Sequence, residues 1–119
     1  MTRLEDERLL VGGGCYTDDV RPATQAAAVF VRSPHAHAEV RSVDTAAAHV
    51  MPGVLAVLTV ADLDAAGLGP LPCRTPYRNR DGSPMPLPPR PALAGGRVRH
   101  VGEPVACVVA ETPAQARDA

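Results

Sequence analysis

The 119-residue chain contains no tryptophan, no isoleucine and no lysine, and its only aromatic rings are Tyr16, Phe30 and Tyr77. All twelve basic side chains are arginines. Without lysine there is no Schiff-base nucleophile, no lysine general base and no phosphate-loop cation. With 3% aromatics there is little on which nucleic-acid bases would stack. A net charge of −1 and a pI near 6.4 add no electrostatic footprint for a polyanion. Cys15, Cys73 and Cys107 are odd in number and form no Cys-x-x-Cys pair, so neither a disulfide framework nor a cysteine zinc site is expected. The apolar runs 26–31, 54–58 and 105–110 fall far short of the roughly 20 residues that span a bilayer. The charged stretch after Met1 offers no apolar signal core. These absences point to a soluble, cytoplasmic, single-domain chain, with Ala, Gly, Pro and Arg in the place of the missing types.

What is present alternates between short apolar runs and breaker residues. Gly12-Gly13-Gly14 reads as a turn leading into a short extended piece that closes at Asp18-Asp19. Residues 26–31, with Val29, Phe30 and Val31, favour a strand buried on both faces. Ser33-Pro34 bends the chain, because proline drives its predecessor out of the α region. Residues 38–44 suggest another strand, although Val40 and Val43 do not alternate cleanly. Asp44 or Thr45 is placed to cap a one-turn helix over 46–49, which Pro52-Gly53 ends. Residues 54–58 form a further strand. Thr59 with Asp62 makes a loose capping box for a short helix that Gly67 stops.

Eight of the thirteen prolines fall between Pro70 and Pro91, with Arg74, Arg78, Arg80 and Arg90 among them. Such a stretch has too few donors for a sheet ladder and cannot be helical. An extended excursion is expected, covering residues 70–96, with a turn at Asp81-Gly82. Residues 97–101 alternate as a half-exposed strand, and 105–110 form a third buried one. Thr112, Pro113 and Gln115 supply an N-cap, a proline at the first helical position and a capping box. The helix they start has seven residues up to and including Ala119, too few to stand alone, so it needs tight packing or continuation. The expected class is α+β: a mixed sheet with short helices covering one face.

Few residues invite a chemical assignment. His35 and His37 would share a face of a strand and bind one metal, with His49 or His100 completing a site in space. They follow Ser33-Pro34, however, and a structural turn is the plainer reading. Gly12–Gly14 suits an anion nest but has no helix start or lysine behind it. Asp18-Asp19 and Asp62/Asp64 are better read as solvated or capping carboxylates than as an acid–base pair. Cys107 lies in the most apolar run and reads as an inert core thiol. The arginines between Arg74 and Arg90 either grip an acidic surface or keep a proline-rich loop soluble. No residue is assigned a catalytic, cofactor-binding or metal-binding role.

Taken in order, several segments nonetheless carry a resemblance. They are Arg3-Leu-Glu-Asp, Gly14-Cys-Tyr-Thr-Asp-Asp, Phe30-Val-Arg-Ser-Pro-His-Ala-His-Ala, Met51-Pro-Gly-Val-Leu-Ala-Val-Leu-Thr and Val98-Arg-His-Val-Gly-Glu-Pro-Val-Ala-Cys-Val-Val-Ala-Glu-Thr. Together they resemble the α/β hammerhead domain opening the molybdenum-binding large subunit of the xanthine dehydrogenase, aldehyde oxidase and carbon monoxide dehydrogenase family, over nearly the whole chain. The resemblance implies a structural part of a molybdopterin-dependent enzyme. Iron–sulfur clusters and FAD would be held by other domains or subunits, which with the remaining molybdopterin-binding domains would be its partners. It also implies that residues 1–119 are a single, C-terminally truncated domain, because the family's helix runs on from Pro113 and a further strand follows. Self-association through the unfinished edge is then expected. A stand-alone interaction module or truncated gene product of the same fold is the alternative, and a small histidine metal-binding protein a third. Where the family commonly has Gly-Arg-Gly-x-Tyr, this chain has Gly12-Gly13-Gly14-Cys15-Tyr16.

Overall fold

In the computed structural model, the structure describes residues 3–73 and 77–119. Arg74, one of the arginines of the proline-rich stretch, lies outside the described residues, as do Met1 and Thr2. The elements are α1 (Asp6–Leu10), a 3-10 turn (Thr17–Asp19), β1 (Ala27–Arg32), β2 (Ala38–Glu39), α2 (Ala46–His49), β3 (Val54–Leu58), α3 (Val60–Ala65), β4 (Arg97–Val98), β5 (Pro104–Ala110) and α4 (Pro113–Asp118).

The most apolar strand, β5, is the middle of a three-stranded sheet in the order β1-β5-β3. Both neighbours run antiparallel to it. A second, two-stranded sheet pairs β2 with β4, also antiparallel. The expected mixed sheet is therefore corrected: among the described residues every strand pairing is antiparallel. The strands β1 and β3 do run in the same direction, but β5 lies between them, so no parallel ladder forms.

Register decides which face each residue joins. Val29 opposite Val108, Ala27 and Val54 opposite Ala110, and Val57 opposite Val108 put one set of side chains on a common face. There Val57, Val108, Ala110 and Ala116 form the core, with Val29, Ala48, Val54 and Ala119 packed around it. The helices α2 and α4 cover this face, as expected. Each buried valine contributes roughly 1.5–3 kcal/mol, whereas alanine has far less surface to hide. The other face carries Phe30 opposite Cys107, and Phe30 remains 47% exposed, with the Arg32 guanidinium 5.7 Å from its ring centre. Strand β1 is thus an edge strand with one covered face. The expectation of burial on both faces fails for β1, whose residues are all exposed or half-buried.

The caps follow local chemistry. The Asp44 carboxylate accepts from the Ala46 amide at 3.0 Å and starts α2. At α3, the amide and hydroxyl of Thr59 both donate to the Asp62 carboxylate at 2.7 Å, and Gly67 ends the helix at φ +70°. At α4, Thr112 Oγ1 accepts from the Gln115 amide at 3.3 Å and donates to Gln115 Oε1 at 2.8 Å. This short helix is held by packing, since Ala116 is buried against the sheet.

Three local expectations give way, and one helix stands where none was expected. Residues 6–10 are helical, because the Asp6 carboxylate accepts from the Arg3 amide and the acidic residues Asp6 and Glu7 sit in the first turn. Thr17–Asp19 is a 3-10 turn rather than an extended piece, closed by the Tyr16 amide donating to Asp19 at 2.9 Å. The suggested strand over 38–44 shrinks to Ala38–Glu39, followed by a single further bond from the Val40 amide to the Gly96 carbonyl. That over 97–101 stops at Val98, where the Arg99 amide turns to the Glu103 carboxylate.

The proline-rich stretch is an extended arm folded back on itself. The Leu71 amide donates to the Arg90 carbonyl, the Met85 amide to Tyr77, and the Asn79 amide to Ser83. An isolated bridge joins Arg78 and Pro84, and Gly82 turns the tip at φ +83°. At the base Leu93 and Ala94 are buried, and the Ala94 amide donates to the Pro104 carbonyl at 2.7 Å.

Gly53 links the sheet to the last helix. Its φ is +78°, and a Cβ there would stand 2.1 Å from Gln115 Nε2. Replacing Gly53 by Ala is expected to cost about 1–3 kcal/mol for the left-handed backbone, with further loss as Gln115 leaves its cap. Gly67→Ala, at φ +70° with open space around it, should cost less. Thermal melts of the two variants check the order.

Candidate functional site

The two most distinctive segments of the chain meet in space. Ser33, after Arg32 and before Pro34, donates its amide to the Glu103 carbonyl at 2.9 Å and accepts from the Gly102 amide at 2.8 Å. The Arg32 guanidinium donates to the Gly102 carbonyl at 2.8 Å. Ser33 Oγ accepts from the His35 amide at 3.1 Å, which fixes the bend. Glu103 is held from the other side, its carboxylate accepting from the Arg99 amide and its own amide donating to the His100 carbonyl. Ser33 and Glu103 are the buried polar residues of the described chain, at 8% and 9% exposure. The pair is a clasp. Buried polar groups persist where their bonds are made, and no buried side-chain polar atom among the described residues lacks a partner.

Sequence reasoning missed this clasp. Glu103 stood only within a segment that carried the family resemblance; that a carboxylate there would be buried and would accept from the Arg99 amide was not legible. The signal was the run Gly102-Glu103-Pro104 directly before an apolar strand.

The candidate ligands and nucleophiles stay apart. His35, His37, His49 and His100 are all exposed, and among the described residues no three His, Cys, Asp or Glu side chains converge as a metal set would. His100 Nδ1 lies 3.1 Å from the Val101 carbonyl. Gly12 has the positive φ of a turn, and the Gly13 amide is already donated to the Arg8 carbonyl, which works against an anion nest. The carboxylates of Asp18, Asp19, Asp62 and Asp64 are exposed. Asp62 titrates below the usual carboxylate range, chiefly because the Thr59 amide donates to it and secondarily because the Thr59 hydroxyl does. Asp81, at the tip of the arm, is lowered likewise by the Ser83 hydroxyl and then its amide. Cys107 is pushed up by burial, while Cys15 is exposed. No helix of the described residues is long and apolar enough to cross a membrane.

With this geometry in place, the sequence pattern of the aldehyde oxidase and xanthine dehydrogenase a/b hammerhead domain matches residues 11–119. The chain belongs to that family. It is 45% identical over 117 residues to the nicotine 6-hydroxylase large subunit of Paenarthrobacter nicotinovorans, covering 98% of this chain and 14% of that protein. To the carbon monoxide dehydrogenase large chain of Afipia carboxidovorans it is 49% identical over 70 residues, 59% of this chain and 9% of that one. Quinoline 2-oxidoreductase from Pseudomonas putida 86 superposes with a TM-score of 0.85 at 38% identity, over 99% of this chain and 14% of that chain. The expected fold class and family therefore stand, and the chain spans about one seventh of the length of these relatives.

Two measurements follow from the site. With a maleimide at pH 8, Cys15 should be labelled in the folded chain and Cys107 only after denaturation; mass mapping that finds both labelled together would be the opposite result. Asp62→Ala should lower the melting temperature at pH 7. Because the Asp62 pKa is lowered on folding, its contribution is complete above the ordinary carboxylate range and is lost as pH falls through the folded value. The gap between wild type and variant, followed by circular dichroism from pH 7 to pH 3, should therefore narrow.

Proposed function

We propose that this chain is the structural N-terminal part of a molybdenum hydroxylase large subunit, packing against the cofactor-bearing domains of a cytoplasmic oxidoreductase. The observation that carries the packing role is surface. The chain exposes 9605 Å², whereas compact monomers of its mass expose about 6,100 Å². The excess, about 3,500 Å², is the size of an obligate interface. Its radius of gyration, 20.0 Å, compares with about 13–14 Å for a compact domain of this length. The second face of the sheet, with Phe30, and the outer edges of β1 and β3 are the natural contact surfaces.

The described residues do not fit an iron–sulfur cluster. Cys15 is exposed at a turn, Cys107 is buried inside a strand, and no donor set converges. Molybdopterin, iron–sulfur clusters and FAD are therefore proposed for the complete enzyme, held outside this chain. Its part in the reaction is to position and enclose those groups by packing. In isolation the same open edges would pair with a second copy.

The reading is tested by purifying the full product of the gene that encodes this segment. The expected result is a polypeptide several times longer, with molybdenum near one per chain and iron and flavin co-purifying. A stable, monodisperse 119-residue product without molybdenum would replace this reading with a stand-alone interaction module. Stoichiometric zinc or nickel lost on changing both His35 and His37 to Ala would replace it with a metal-binding one. The isolated chain should associate with rising concentration in light scattering; a monomer throughout would remove the edge-pairing part.

A further inference from the structure

The charge of the chain is unevenly divided. Between Pro70 and Gly102 stand six arginines and one carboxylate, Asp81, while the remainder holds six arginines and twelve carboxylates. The five described arginines of the basic part are Arg78, Arg80, Arg90, Arg97 and Arg99. Asp81 is taken up inside the turn, where it accepts from the amide and hydroxyl of Ser83 at 2.9 and 2.6 Å. Among the described residues the one ion pair joins Arg97 to Glu39 across β4 and β2 at 3.5 Å. Arg78 and Arg99 rest against backbone carbonyls, at 3.0 Å on Gly82 and 3.5 Å on Arg97. Among the described residues no carboxylate pairs with Arg78, Arg80, Arg90 or Arg99.

These cations border a groove. Arg90 and Arg99 line a cleft of about 410 Å³ whose apolar wall includes Leu71, Pro89 and Pro91, and Glu103 and His100 line it too. The Glu103 carboxylate is held by the Arg99 amide, so it leaves both guanidinium groups free to bind outward. Tyr77 and Leu87 stand exposed further along the arm. A guanidinium is a planar fork matched to carboxylate oxygens, and arginine and tyrosine around an apolar centre is the composition of protein interface hot spots.

We propose that the arm is a docking surface for an acidic protein surface, whose carboxylates pair with Arg90 and Arg99 while an apolar side chain enters the groove between them. The partner is a protein rather than a nucleic acid because the groove is walled chiefly by leucine and proline, with the His100 imidazole its one aromatic ring. The inference stands on charge and shape alone and does not rest on the enzyme reading, so failure of one leaves the other in place.

The test uses the full chain and three fluorescent probes of equal charge: a Glu-Leu peptide, polyglutamate and oligo(dT), followed by anisotropy. The Glu-Leu peptide should bind saturably, at least fivefold tighter than the other two, and lose at least tenfold between 50 and 300 mM salt. Arg90→Glu with Arg99→Glu should weaken it at least tenfold. Arg3→Glu with Arg8→Glu, the same charge change elsewhere, should leave it within twofold, with circular dichroism reporting that both variants fold. No saturable binding, equal losses in the two variants, or polyglutamate binding as tightly as the Glu-Leu peptide would each overturn the proposal. Tighter binding of oligo(dT) would replace it with a nucleic-acid surface.

Discussion

The strand Pro104–Ala110 is the piece to which the rest of the chain is fastened. It is hydrogen-bonded along both edges, to β1 on one side and β3 on the other. Its residues Val108 and Ala110 form the floor on which α4 packs. Its first residue, Pro104, has no amide to donate, yet its carbonyl accepts from Ala94 and so anchors the base of the arm. One seven-residue apolar run thus fixes the sheet order, the covered face and the root of the longest excursion. Removing hydrophobicity from it would loosen β1, β3 and α4 together, because Val108 and Ala110 belong to the core cluster they share.

That core is thin. Among the described residues the buried apolar set is four alanines, three valines, one leucine and one cysteine. Alanine adds little to the hydrophobic term, while the backbone entropy of ordering each residue remains of order 1–2 kcal/mol. A chain built this way leans on hydrogen-bonded closures such as the Ser33–Glu103 clasp. Its large exposed surface is the other side of the same thinness.

Much of this was legible in the sequence, and the failures are informative. The apolar runs gave β1, β3 and β5 to within a residue, because β-branched stretches bounded by Pro and Gly leave little else. Thr59 with Asp62, and Thr112 with Pro113 and Gln115, announced their helices through cap chemistry that acts over three residues. What depended on distant partners was hidden. Strand pairing could not be read, so the antiparallel order around β5 was mistaken for a mixed sheet. Edge position could not be read either, so Phe30 was placed in a core it does not enter. Residues 97–101 alternate like a strand, but Glu103 captures the Arg99 amide and ends the ladder after Val98. At the site, periodicity singled out histidines that stay exposed, while Ser33 and Glu103 became significant only once segments seventy residues apart were brought together.

The base of the arm also separates two kinds of freedom. Because the Leu71 amide meets the Arg90 carbonyl there, the chain between them is a loop whose ends are already joined. Loop-closure entropy rises by only about 0.6 kcal/mol for each doubling of loop length. The tip at Asp81-Gly82, remote from the sheet and held by its own turn bonds, is therefore a place where sequence can be lengthened or exchanged with little effect on the frame. The fold offers a fixed frame and an interchangeable finger, so relatives are free to diverge in what the finger touches while keeping the same sheet.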